Sequence, residues 1–100
     1  MIEVRKTDGF DRWLRKLADR QAKVHIIKRI NRVELGNLGD VKPARNGVSE
    51  LRIDYGPGYR LYFVQYDALI LLVGGTKGTQ DGDIERAVQL ARELKLAKGD

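Results

Sequence analysis

The sequence predicts an α+β domain in the order β-α-α-β-β-β-α, an antiparallel meander packed against a helical hairpin and a C-terminal helix. Three observations carry this expectation. Apolar residues recur at helical spacing in two stretches near the N-terminus and in one near the C-terminus. Between them lies a block with strand period, rich in β-branched and aromatic residues. At its centre, Gly56-Pro57-Gly58 marks a tight turn.

Alternation over Ile2 to Lys6, stopped by Thr7-Asp8-Gly9, reads as a first strand, with Thr7 or Asp8 capping the helix that follows. Phe10, Trp13, Leu14, Leu17 and Ala18 share one face of that helix, and Trp13 reads as a packing anchor. Asp19 caps a second helix running to about Gly36, with Val24, Ile27, Ile30 and Val33 or Leu35 facing the core and Ile26 widening the stripe. Lys23, Lys28, Arg29 and Arg32 are then left to solvent. Gly36, Gly39, Pro43 and Gly47 make the next stretch a loop, to which Lys42 and Arg45 add positive charge.

Three strands follow, Val48 to Asp54, Tyr59 to Tyr66 and Ala68 to Val73, with links short enough for an antiparallel meander. The third is apolar on both faces and should lie inside the sheet beneath helices. Gly74-Gly75-Thr76-Lys77-Gly78-Thr79-Gln80 reads as a glycine-rich loop into a last helix capped by Thr79 or Asp81, with Asp81, Asp83 and Glu85 at the positive end of its dipole. Ile84, Val88, Ala91 and Leu94 form its buried face, and Lys95, Lys98 and Gly99-Asp100 suit a helix end and tail.

The hairpin is where charge and strand period coincide. Alternation sends Leu51, Ile53, Tyr59, Leu61 and Phe63 to one face and Glu50, Arg52, Arg60 and Tyr62 to the other. The second face is the expected working surface. Arg52 stands opposite Arg60 or Tyr62, depending on the turn. Paired arginines suit a phosphodiester, because guanidinium forks match phosphate oxygens; alternatively Glu50 and Asp54 simply neutralise them. Lys77 before a helix resembles an anion-binding entry, although no Walker spacing is present.

Composition narrows the partners. The net charge of +5 favours polyanions, nucleic acid or an acidic protein. The absence of cysteine excludes disulfides and fits a reducing cytoplasm. His25 is the one histidine and no ligand spacing surrounds it, so neither a metal nor a cofactor is expected. The start lacks a signal-peptide core, no stretch is long enough to span a bilayer, and residues 1–100 read as one domain.

Three segments together, Gly47-Val48-Ser49-Glu50-Leu51-Arg52-Ile53-Asp54, Gly58-Tyr59-Arg60-Leu61-Tyr62-Phe63 and Leu72-Val73-Gly74-Gly75-Thr76-Lys77-Gly78-Thr79-Gln80-Asp81, resemble the RelE/ParE toxin superfamily over essentially the whole chain. The likeness is nearest to its HigB-like, phage-derived killer proteins. Val73, Thr76 and Gly78 depart from that subgroup's common letters, while Lys77 and Gln80 keep them.

The resemblance implies a toxin of a toxin-antitoxin pair: a ribosome-dependent mRNA endonuclease, acting in the cytoplasm on translated message and inhibiting translation. Its implied partners are the 70S ribosome with its mRNA and a cognate antitoxin of helix-turn-helix type. Within it, Arg60 and Arg52 would stabilise charge at phosphorus, Lys77 would clamp phosphate or protonate the leaving group, Glu50 would act as base, and Tyr62 would orient or stack on RNA. The basic residues Lys23, Lys28, Arg29, Arg32, Lys42 and Arg45 would meet RNA or the ribosome. A gyrase-inhibiting toxin of the same fold and a non-catalytic basic binding module are the alternatives.

Overall fold

The structure, a computed structural model, describes residues 1–94. Five strands form one mixed sheet: β1 (Val4–Lys6), β2 (Val41–Arg45), β3 (Val48–Ile53), β4 (Tyr59–Tyr66) and β5 (Ala68–Thr76). Their spatial order is β1-β5-β4-β3-β2. β2 to β5 make an antiparallel meander, and β1 runs parallel beside β5 with Val4 opposite Leu69. Among the described residues three α-helices join the sheet: α1 (Asp8–Lys16), α2 (Arg20–Glu34) and α3 (Gln80–Glu93). The expected α+β class and meander are present, with one strand more than expected.

That extra strand is β2, in the stretch expected to be a loop. Its partner is β3, with Lys42 opposite Glu50. Proline is tolerated because β2 is an edge, where a missing N–H breaks no ladder. Asn46 and Gly47, both at positive φ, turn the chain into β3.

The sheet carries a core on each face. On one side Phe10 of α1 and Ala22, Ile26, Ile30 and Val33 of α2 pack on Leu51, Ile53, Tyr59, Leu61, Phe63, Leu69 and Leu71. On the other, Ile84, Ala87, Val88 and Ala91 of α3 cover Val48, Tyr62, Val64, Ile70 and Leu72. Each aliphatic or aromatic side chain buried this way contributes roughly 1.5–3 kcal/mol. β5 serves both cores, which accounts for its apolar character on both faces. The second hairpin face is therefore largely a core under α3, and not the open working surface expected for Glu50, Arg60 and Tyr62.

Caps set where the helices begin. The Thr7 hydroxyl accepts from Phe10 N–H at 3.1 Å and donates to the Leu72 carbonyl at 2.9 Å, joining the start of α1 to β5. Asp19 accepts from Gln21 and Ala22 N–H at 2.9 and 3.2 Å, starting α2. The Tyr55 hydroxyl also donates to Asp19 at 3.1 Å, and the Tyr55 ring stacks on His25 with centroids 4.3 Å apart.

α2 is rotated from its expected phase. Ala22, Ile26, Arg29, Ile30 and Val33 are buried, whereas Val24, Ile27 and Leu35 are exposed. Adjacent isoleucines permit either rotation, and a charge at position 29 argued against the correct one. Arg29 is not a solvent-facing RNA contact. Its guanidinium donates to the carbonyls of Arg52 at 2.5 Å, Leu38 at 2.9 Å and Asp40 at 2.9 Å. It thereby satisfies the backbone entering β2 and leaving β3, and burial pulls its pKa below the usual guanidinium value.

Two smaller departures concern the ends of elements. Ala18 falls beyond α1, and Leu94 is exposed at the end of α3. The basic end expected at Lys95 and Lys98 lies outside the described residues.

A bulge interrupts β5. Tyr62 pairs with Val73 but Phe63 pairs with Leu71, so Leu72 is the extra residue. The phase of the strand reverses there. Gly74 then faces α1, where an added Cβ would overlap the Trp13 ring, and Gly75 faces α3, where a Cβ would overlap the Asp83 carboxylate.

Two stability outcomes follow from these contacts. Gly74→Ala should destabilise by about 1–3 kcal/mol through overpacking on Trp13, read as a lower urea midpoint at unchanged slope. Arg29→Met should cost about 3 kcal/mol or more, measured by the same urea titration. Three backbone carbonyls lose a guanidinium donor, and outside the strand ladders only that of Asp40 keeps another, the Arg52 N–H.

Candidate active site

Register decides which charges meet. Arg52 lies directly opposite Arg60, and Arg60 lies opposite Gly75. The next row runs Lys42, Glu50, Tyr62, Val73. Both rows share the α3 face of the sheet. Gly75 has no side chain, so the first turn of α3 settles on that end of the arginine row. There Asp83, 3% exposed, accepts from the Thr79 hydroxyl at 2.5 Å and from Arg86 at 2.6 Å. A carboxylate in the first turn also suits the helix dipole.

Lys77 reaches the arginines through a backbone bond. Its N–H donates to the Gly58 carbonyl at 2.8 Å, tying the turn after β5 to the Gly-Pro-Gly turn of the hairpin. Gly58 adopts φ +80°, a left-handed conformation that favours glycine. The lysine sits in a short 3-10 turn, Lys77–Thr79, while the two glycines expected in a loop belong to β5.

Arg52, Arg60 and Lys77 together line a cavity of about 380 Å³, which Asp40, Asp54 and Gly58 also border. Like charges directly opposite on a sheet repel. Asp40 offsets part of this from 3.7 Å, an ion pair too long for a hydrogen bond to Arg52 Nε. Among the described residues Arg60 has no ion pair, although it is only 8% exposed. The Nε atoms of both arginines are buried without an acceptor. Buried donors without acceptors are costly, and three cations against two carboxylates leave the cavity net positive.

Glu50 and Tyr62 are not part of this cavity wall. Glu50 is 5% exposed, and its carboxylate accepts from the Gln80 side chain at 3.0 Å at the start of α3. Tyr62 is fully buried, so it does not stack on a ligand. Burial, with Glu50 nearby, pushes its phenol far above the usual range, and it stays neutral. Its hydroxyl has no partner.

The other basic candidates are spread over both faces. Lys28 and Arg32 are exposed on α2, and Lys23 donates from Nζ to the Arg15 carbonyl at 2.8 Å. Lys42 and Arg45 are exposed on β2. Because α2 covers the face opposite α3, its basic surface and the arginine cavity lie on opposite sides of the sheet. Asp40 and Gln80 are site residues that sequence reasoning did not assign; Asp40 enters through a strand hidden in an apparent loop. No cluster of His, Asp and Glu suited to a metal ion occurs among the described residues.

Removing the orphaned hydroxyl tests this description. Tyr62→Phe should leave stability unchanged or raise it by about 1 kcal/mol, measured by thermal or urea unfolding, because no hydrogen bond is lost.

No family model matches the chain. It is 48% identical over 97 residues to an uncharacterized protein of Haemophilus influenzae, across 95% of this chain and 98% of that protein. Identity at that level over nearly the full length of both places the chain in one family with this uncharacterized Haemophilus influenzae protein.

Proposed function

We propose that the chain is a RelE/ParE-type toxin of the HigB-like kind, an endoribonuclease that cuts mRNA on the ribosome and so inhibits translation. The observation that carries this reading is the single cavity lined by Arg52, Arg60 and Lys77, with two guanidinium Nε donors facing no acceptor. Three converging cations suit the dianionic phosphorane-like transition state of RNA cleavage better than the monoanionic ground state, which is the condition for catalysis.

In the proposed step the 2′-oxygen attacks the adjacent phosphorus while the bond from phosphorus to the 5′-oxygen breaks. A 2′,3′-cyclic phosphate and a 5′-hydroxyl result. Arg60 and Arg52 hold the non-bridging oxygens, and Lys77 donates a proton to the departing 5′-oxygen. For the base, Asp54 is better placed than Glu50. It borders the cavity, is exposed and has no ion pair among the described residues, whereas Glu50 is held by Gln80 beneath α3. Slow cleavage of free RNA fits a toxin that relies on the ribosome to align its message.

The exposed residues Val24, Ile27 and Leu35 on α2, beside Lys28 and Arg32, support a protein or ribosome contact on the opposite face. We assign the cognate antitoxin and ribosomal docking to such surfaces. The same features support the gyrase-inhibiting alternative, which needs a protein-binding face and no phosphate chemistry.

Purified protein added to cell-free translation, with message ends mapped by primer extension, tests the proposal. Wild type should produce new ends. Arg60→Ala should lower the cutting rate about 10²–10³-fold and Asp54→Asn about 10²-fold or more. Cutting undiminished in Arg60→Ala refutes the site, and inhibition of gyrase supercoiling without new message ends favours the alternative.

A further inference from the structure

On the other side of Lys77 lies a larger cavity, of about 630 Å³, whose walls include Trp13, Gly74, Lys77, Asp81, Asp83 and Arg86. Its chemistry differs from that of the arginine cavity. There, three cations face two carboxylates. Here Lys77 and Arg86 are balanced by Asp81 and Asp83, and one wall is an indole. A phosphate gains little from a site without net positive charge. A flat, neutral heterocycle with donors and acceptors along its edge fits better.

The walls are held in place. Trp13 packs over Gly74, lies tilted against Phe10 with centroids 5.6 Å apart, and meets Tyr59 edge-on at 6.3 Å. It remains partly exposed and lines the cavity as a fixed aromatic surface. Arg86 is 67% exposed in its side chain, yet its Nη2 is anchored by Asp83 at 2.6 Å. The rest of its fork has no acceptor among the described residues. Aromatic side chains offer faces that bases pack against, and arginine forks recognise base edges. Lys77 lines both cavities, so the two adjoin.

We propose that this cavity is a nucleobase subsite. It takes the base of the nucleotide whose phosphate is held by Arg52, Arg60 and Lys77, beside Trp13 and with its edge toward Arg86 and Asp81. The inference rests on the ribonuclease reading of the arginine cavity and adds to it the place where a base is gripped.

Trp13 is the chain's one tryptophan, so its emission reports changes at this wall. The full chain is titrated with ribose 5-phosphate and with each of the four nucleoside 5′-monophosphates, following emission and melting temperature together. All five ligands should raise the melting temperature, and only the monophosphates should change Trp13 emission. Arg86→Ala and, as an independent variant, Asp81→Asn should weaken at least one monophosphate about tenfold while leaving ribose 5-phosphate as it was.

Equal binding of ribose 5-phosphate and all four monophosphates, with silent Trp13 emission, overturns the subsite and leaves the phosphate cavity standing. Monophosphate binding that is indifferent to Arg60→Ala, with no binding of ribose 5-phosphate, overturns the phosphate reading on which the subsite depends.

Discussion

Two side chains that are not there organise the candidate site. At Gly74 and Gly75 the backbone of β5 is bare, so Trp13 closes on it from one face and Asp83 from the other. Each contact fixes a helix. Trp13 holds α1 against the sheet, and Asp83, bonded to Thr79 and Arg86, holds the first turn of α3. A β-carbon at either position would push a whole layer outward, because packed interiors do not yield smoothly. The bulge at Leu72 is what turns these two glycines toward those two faces.

From that junction the cationic cavity follows. With α3 seated on Gly75, the sheet row beyond it ends in Arg60 and Arg52, and the 3-10 turn between β5 and α3 delivers Lys77. The bond from Lys77 N–H to the Gly58 carbonyl then locks the lysine beside the hairpin turn. Burial of both arginine Nε atoms without acceptors is a cost that the fold sustains at this one place. Elsewhere a buried guanidinium is fully used: Arg29 serves three backbone carbonyls. The contrast separates an arginine whose donors are met by backbone from two whose Nε atoms have no acceptor among the described residues.

Much of this was legible in the sequence. The strand period over Glu50 to Phe63 sorted the two hairpin faces correctly, and Thr7 and Asp19 marked the starts of two helices. The hairpin pattern paired Arg52 with Arg60, the family resemblance added Lys77 to them, and the three do line one cavity. Three expectations gave way to packing. α2 turned to bury Ile26 and Arg29, β2 formed in a stretch full of turn residues, and α3 covered Glu50 and Tyr62.

The limits of each kind of information have a physical origin. Local sequence determines period, caps and turns, because these depend on neighbours within a few residues. It thus indicated by itself the three helices, three strands of the meander and which side chains share a hairpin face. What lies over a face depends on partners distant in the chain. Only the tertiary structure decided that α3 would bury Glu50 against Gln80, that Asp40, just before the edge strand, would approach Arg52, and that Lys77 would join the arginines through Gly58. The hairpin's polar face became a closed core at one end and a cavity lined by three cations at the other, and the boundary between them is the first turn of α3 resting on a glycine.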